Sequence, residues 1–308
     1  MNKPNFIIAG ERRSGSTTLY EVLKQHTQID MFYMSDMDFF IEKDLFSLKP
    51  KPNITSWEDY ANINDYKSLF NDKSDKITAQ KDADLLWWKP AHKRLAKHLP
   101  ETKFLFVLRN PVRRAESQYW NEVRKGRETR SFEQAIQESS ENIKNDWYKL
   151  HLEYKTRGCY IESLEHFFKH IPQEKCHVVI LEQLFQNWEK EMTKISEFLK
   201  IDTNEAILLK PIHSNKEEVL VINPKHRHNL IGKLIKTYDR ICNAIIRRLV
   251  KDKHLKNQLQ AFFLRVGKIS ARKSNPVKKE VLNELKKYYG PYNKALEKHL
   301  NIKIKEWD

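Results

Sequence analysis

Short apolar runs alternate with longer stretches whose apolar residues recur every three to four positions, and the alternation extends along most of the chain. The runs 6–9 (Phe-Ile-Ile-Ala), 104–108 (Phe-Leu-Phe-Val-Leu) and 178–181 (Val-Val-Ile-Leu) are continuously apolar. Strands of a parallel sheet covered on both faces have this character. Helical spacing accompanies each run: Leu19, Val22 and Leu23 after the first, Tyr160, Leu164, Phe167 and Phe168 before the third, and Trp188, Met192, Ile195, Phe198 and Leu199 after it. The pattern predicts an α/β fold, a central parallel sheet flanked by helices in three layers. Residues 1–308 read as one domain with a basic helical part from about 205 to 308. Within that part, Leu230, Leu234, Tyr238, Ile241, Ile245 and Leu249 form one apolar stripe among Lys and Arg. Such a stripe fits a helix docked on the core, with an anionic membrane or a polyanion as the alternative.

Composition narrows the classes. With 40% apolar and 31% charged residues, the 308-residue chain can fold around a core, which excludes disordered and collagen-like classes. Lys and Arg number 56 against 41 Asp and Glu, a net charge of +15, so the surface suits phosphate, sulfate, nucleic acid or anionic membrane. No apolar run approaches the roughly 18 residues of a membrane span. The opening residues turn polar after four apolar positions, too few for a signal-peptide core. Cys159, Cys176 and Cys242 match neither a disulfide framework nor a zinc pattern, which leads to the expectation of a cytoplasmic protein without a metal. With only 7 glycines in the chain, a glycine between two regular elements is informative.

Two such glycines, Gly10 and Gly15, bracket the turn after the first strand, Gly10-Glu11-Arg12-Arg13-Ser14-Gly15-Ser16-Thr17-Thr18. A glycine-rich strand-to-helix turn cradles an anion with backbone N–H groups and the helix N-terminus. A nucleoside-triphosphate loop requires Lys directly after the second Gly, and here Ser16 stands there, while the cations Arg12 and Arg13 lie inside the loop. An ordinary P-loop NTPase or kinase is therefore disfavoured, and a turn with a plain helix cap is the structural alternative. The second motif begins where the 104–108 run ends, in Arg109-Asn110-Pro111. Asn110 suits a helix N-cap and Pro111 the first helical position, which puts Arg109 at the carboxyl edge of the sheet, where α/β proteins bind ligands. Ser117 follows about two turns into that helix as a hydroxyl donor.

Together these motifs resemble the sulfotransferases that use 3′-phosphoadenosine 5′-phosphosulfate (PAPS). The matching residues are Arg13-Ser14-Gly15-Ser16-Thr17 and Arg109-Asn110-Pro111, with Arg114-Ala115 and Ser117-Gln118-Tyr119. The likeness continues through Arg157-Gly158-Cys159-Tyr160, Leu181-Glu182-Gln183-Leu184 and Tyr289-Gly290-Pro291-Tyr292 to Trp307, and is weak over about 205–275. It is strongest toward the bacterial and glycan-type branch. The resemblance implies that residues 12–18 hold the 5′-phosphosulfate, that Arg109 and Ser117 hold the 3′-phosphate, and that Tyr160 contacts the nucleotide; separately, Arg272 and Lys273 are candidates to close over it, with a solvated basic run before Pro276 as the alternative. Arg13 stands where the family has Lys; Arg stays protonated, so it acts by charge and hydrogen bonding, with Arg12 as backup. No metal is implied.

On the acceptor side the family carries a glutamate base in a stretch that here reads Ser35-Asp36-Met37-Asp38-Phe39-Phe40, and Asp36 takes the base position. Lys81, in Lys81-Asp82-Ala83-Asp84, is retained as a phosphosulfate contact and catalytic group. The carboxylates Asp36, Asp38, Asp82 and Asp84 conflict with the positive net charge, and local charge dominates because screening cuts surface fields within roughly 8–10 Å. The expected acceptor is a hydroxyl or a nitrogen of a small molecule, with a cationic natural product as the favoured class and Trp87 adding a cation–π contact. A heparan-type glycan is the alternative acceptor, and a non-catalytic polyanion-binding protein the alternative class. Neither a nucleic-acid partner nor a transmembrane segment is expected. His213 and Asn215 lie near a family-like loop and receive no catalytic role.

Overall fold

The computed structural model describes residues 3–33, 36, 39–41, 63–70, 75–125, 127–138, 146–211, 220–222, 271–273 and 277–307. They fall into two compact units: Met1–Tyr119 with Arg130–His213 and Lys278–Asp308, and Trp120–Thr129 with Ser214–Val277. The first unit runs β1 (Phe6–Gly10), α1 (Ser16–Leu23), β2 (Ile29–Met31), α2 (Ile63–Ser68), β3 (Ile77–Lys81), α3 (Lys89–His98), β4 (Lys103–Leu108) and α4 (Pro111–Arg124), the end of which belongs to the second unit. It continues with α5 (Phe132–Gln137), α6 (Asp146–Leu152), α7 (Tyr160–Phe168), β5 (Cys176–Ile180), α8 (Leu181–Gln186), α9 (Trp188–Leu199) and α10 (Thr203–Leu208). In the second unit, β6 (Leu220–Ile222) and β7 (Ala271–Lys273) pair antiparallel. Helix α11 (Lys279–Leu300) returns to the first.

The five strands of the first unit pair in the order β2-β3-β1-β4-β5, and every pairing is parallel. Period-2 geometry sends alternate residues of each strand to opposite faces. Ile7, Ala9, Phe104, Phe106 and Leu108 pack under α3, α7 and α11 through Ala91, Leu95, Leu164, Phe167 and Leu296. Phe6, Ile8, Leu105 and Val107 pack on the other face under α1 and α9 through Leu19, Leu23, Met192, Ile195 and Leu199. Both faces are therefore closed to water at β1 and β4, which is why 6–9 and 104–108 read as unbroken apolar runs, whereas in the edge strand β5 only Val179 and Ile180 are fully covered. The three-layer α/β architecture matches the expectation.

The apolar-run criterion finds three of these strands and misses β2 and β3. Strand β3 is buried although Thr78, Gln80 and Lys81 interrupt its apolar pattern. Gln80 and Lys81 have side-chain partners that offset desolvation: Tyr66 donates its hydroxyl proton to Gln80, and Lys81 pairs with Asp36, while the main-chain N–H of Thr78 donates to Asn5 Oδ1 at 2.8 Å. The β1–β4 register shifts between Ile8 and Gly10, where the strand gives way to the loop above it. Among the described residues no helix is long and apolar enough to cross a membrane. Cys159 and Cys176 are free thiols, and burial pushes them up to about 11 and about 12. Asp38, Cys242, His213, Asn215 and the 230–249 stripe lie outside the described residues.

Candidate active site at the carboxyl edge of the sheet

Helix α1 leaves β1 toward one face of the sheet, while α7 covers the other face beside β4. Neighbouring strands whose connections diverge in this way open a crevice at their carboxyl ends. The loop 11–15 lines it: the Glu11 N–H donates to Val107 O at 2.8 Å and the Ser14 N–H to Glu11 O at 3.1 Å. Gly15 caps α1 with φ 94°, and a Cβ there would meet Leu181 Cδ1 at 2.4 Å, so only glycine fits. The first-turn amides of Ser16, Thr17 and Thr18 have no acceptor within an α-helix and face the loop. Ser14 is fully buried, and its Oγ lies near the Tyr160 hydroxyl without a hydrogen bond of good geometry. An anion bound in the loop would give it a partner, so the cradle fits a phosphate or sulfate group.

Strand β4 presents Arg109 beside this loop. The Asn110 side chain accepts from the N–H groups of Val112 at 3.1 Å and Arg113 at 3.2 Å, which is the predicted N-cap, and Pro111 opens the helix. Arg109 Nη1 donates to the Arg13 carbonyl at 3.3 Å, and Arg13 Nε donates to Ser117 Oγ at 3.1 Å. The structure thus brings Arg13, Arg109 and Ser117 into one basic patch spanning two strand ends. Tyr160 donates its hydroxyl proton to the Arg109 carbonyl at 2.7 Å and holds the strand end. Burial pushes the Arg109 guanidinium downward from its ordinary value, with Glu182 opposing the shift.

Glu182 and Trp307 belong to the matched motifs but carry no expected role. The Asn110 N–H donates to Glu182 Oε1 at 3.0 Å, and Trp307 Nε1 donates to Glu182 Oε2 at 3.0 Å, so one carboxylate ties the Arg109 corner to the chain's last turn. Gly158 has a comparable packing role, since a Cβ there would meet the Tyr289 ring at 2.6 Å.

Beneath the loop lies a cluster of buried charges. Arg12 donates through Nε to Asp84 Oδ1 at 2.8 Å, through Nη2 to the other Asp84 oxygen, and approaches His151 Nδ1 through Nη1. Arg157 donates to Glu11 at 2.7 Å, to Asp84 at 2.7 Å and to the Leu150 carbonyl at 2.9 Å. Burial alone would raise Asp84, but Arg12 and Arg157 outweigh it and hold the carboxyl well below the usual range. For Glu11 burial prevails over Arg157, and its carboxyl is raised. Arg114, fully buried, donates to Gln118 and the Tyr154 carbonyl and serves packing among α4, α6 and the following turn.

The residues expected on the acceptor side divide. Asp36 has φ 56°, and its side chain accepts from Lys81 Nζ at 2.6 and 2.7 Å and from the Ala83 N–H at 2.9 Å. Lys81 is buried, whereas the Asp36 side chain is 39% exposed. Asp82 is buried and its N–H donates to Ile8 O at 2.9 Å. Asp84 faces Arg12 and Arg157, and the Arg157 guanidinium lies 4.8 Å from the Trp87 ring centroid. Asp84 and the Trp87 face are thus engaged by the protein's own cations. Arg272 and Lys273 lie on β7 of the second unit. Among the described residues no group of three or more His, Cys, Asp or Glu could hold a metal ion.

The sequence profile of the sulfotransferase family matches residues 4–205. The chain belongs to the sulfotransferase family. A bifunctional heparan sulfate N-deacetylase/N-sulfotransferase of Drosophila melanogaster is 27% identical over 209 residues, 64% of this chain and 20% of that protein. The human heparan sulfate glucosamine 3-O-sulfotransferase 3B1 is 24% identical over 254 residues, 80% of this chain and 59% of the relative. This sulfotransferase-family chain therefore spans less than two-thirds of the length of these curated relatives. A solved sulfotransferase from Alicyclobacillus acidocaldarius superposes with a TM-score of 0.56 at 21% identity, over 83% of this chain and 100% of that one, which shows a common fold.

Proposed function

We propose that the protein transfers the sulfuryl group of PAPS to a hydroxyl or amine of a small acceptor. The observation that carries this reading is the junction of two anion sites. Arg13 in the loop and Arg109 with Ser117 on the neighbouring element are linked by the 3.1 and 3.3 Å contacts, as a nucleotide with anionic groups at both ends of its ribose requires. Arg109 and Ser117 take the 3′-phosphate through charge-assisted bonds, while Ser14, Gly15, the first-turn amides of α1 and Arg13 take the 5′ end. The donor supplies an activated sulfuryl group. Arg13 neutralises charge that gathers on the departing phosphate, a role suited to a cation that keeps its proton. Asp36 accepts the acceptor's proton, and Lys81 with the Ala83 N–H fixes the carboxylate for that task.

A small cationic acceptor would pair with Asp36, since Asp84 and the Trp87 face are engaged by Arg12 and Arg157. A glycan acceptor is the second reading, favoured by the heparan sulfate relatives and by this internal use of acidic groups. Isothermal titration with adenosine 3′,5′-bisphosphate and with Mg-ATP tests the donor. Metal-independent binding of the bisphosphate is expected; preference for Mg-ATP supports a kinase, and no nucleotide binding supports a polyanion-binding protein. A sulfation screen across cationic alkaloids, neutral alcohols and heparan-type oligosaccharides then separates the acceptor readings.

A further inference from the structure

The loop carries two adjacent arginines, and the charges beneath it treat them differently. Arg13 is exposed and reaches Ser117 on α4. Arg12 turns under the loop, where its planar fork meets both oxygens of Asp84 and its remaining terminal nitrogen approaches His151. Asp84 has no exposed side-chain surface, and its second cation, Arg157, is equally buried and also holds Glu11 from the same loop. A carboxylate shared by two guanidiniums, one of them on the loop, fixes that loop far more rigidly than one exposed ion pair does.

We propose that Asp84 is a positioning residue for the donor loop: by holding Arg12 beneath the loop and bracing it through Arg157 and Glu11, it sets Arg13 and the α1 amides at the 5′ end of the donor. This rests on the PAPS reading above. It reassigns Asp84 from the acceptor to the donor side and gives Arg12 an indirect role. Arg12 acts through Asp84, so removing both loses little more than removing either one. Its guanidinium fork matters more than its charge, so Lys, a point charge, does not replace it.

The test is calorimetric binding of PAPS and of adenosine 3′-monophosphate, which lacks the 5′ group, to wild type, Arg12→Ala, Arg12→Lys, Asp84→Asn and Arg12→Ala/Asp84→Asn. Arg12→Ala, Arg12→Lys and Asp84→Asn are each expected to weaken PAPS about tenfold, the double variant about as much as either single one, and the monophosphate hardly at all. Independent multiplication of the Arg12 and Asp84 losses overturns the proposal, as does full retention of PAPS affinity by Arg12→Lys, because both signal direct contact between Arg12 and the donor. Equal losses for both ligands also overturn it, by reducing Asp84 to a structural group. If Asp84→Asn does not fold, the comparison of Arg12→Ala with Arg12→Lys still decides, since the Arg12 side chain is partly exposed. A wild type that binds neither nucleotide rejects the donor reading itself; a wild type that binds both while the variants behave independently rejects only the role of Asp84.

Discussion

Arg13, Arg109 and Ser117 stand on or between the ends of regular elements, whereas Asp36 stands on none. The donor side is held by the β1–β4 pairing, the capped start of α4, a glycine that admits no side chain and a buried double ion pair. Asp36 follows β2 in a left-handed conformation, more than a third exposed, and depends on one ion pair and two main-chain contacts with β3 and the turn after it. The difference teaches that the proposed nucleotide site is built on the strand and helix ends of the fold, while the proposed base lies outside the regular elements and is tied to the sheet through its pair with the buried Lys81.

The sharpest way to break this comparison is at its less supported end. Asp36→Asn keeps the shape and removes the proposed proton acceptor, and kcat on an acceptor found in the screen is expected to fall about 10²- to 10⁴-fold with donor affinity intact. A fall in donor affinity instead would move Asp36 to the donor side. Next, Arg13→Ala is expected to lower kcat about 10²- to 10³-fold. If only KM rises, Arg13 binds the ground state and transition state equally.

The buried support of the donor side can be probed by acid. His92 Nε2 donates to the carbonyls of Leu85 and Leu86 at 3.0 Å, directly after Asp84, while its Nδ1 lies 2.9 Å from His166 Nδ1. Burial first, and the neighbouring His166 second, push His92 down to about 4 from an ordinary value of 6.5. The native state favours neutral His92, so its contribution is complete above pH 6.5 and is lost as pH falls toward 4. The loss reaches about 3 kcal/mol at its limit. Denaturant unfolding of wild type and His92→Gln from pH 7 to 4 checks this, and parallel curves would remove His92 as the cause. The smallest effects concern the 3′-phosphate. Arg109→Ala is expected to weaken adenosine 3′,5′-bisphosphate by about 1.5–3 kcal/mol and Ser117→Ala by about 1 kcal/mol, with little change for the 3′-dephospho nucleotide. Equal losses for both nucleotides would detach these residues from that phosphate.

The comparison also explains what could be read in advance. The loop from Gly10 to Thr18, the Asn110 cap and the Pro111 helix start were legible because caps, turns and glycine positions are decided by neighbours in sequence. Strands β2 and β3 were not legible, since the burial of Gln80 and Lys81 depends on Tyr66 and Asp36. Asp82 and Asp84 looked like cleft carboxylates beside Lys81, but both are buried, and Asp84 meets cations 72 and 73 positions away.

The sequence by itself determined the alternation of covered strands and amphipathic helices, the glycine-bracketed turn and the basic strand end, because backbone periodicity and local hydrogen bonding act over a few residues. Only the tertiary structure decided that Arg13 reaches Ser117 while its neighbour Arg12 turns to Asp84. That choice rests on Asp84, Arg157, Glu11 and His151 converging from separate elements, where burial makes the pairing of charges compulsory and leaves no trace in local spacing.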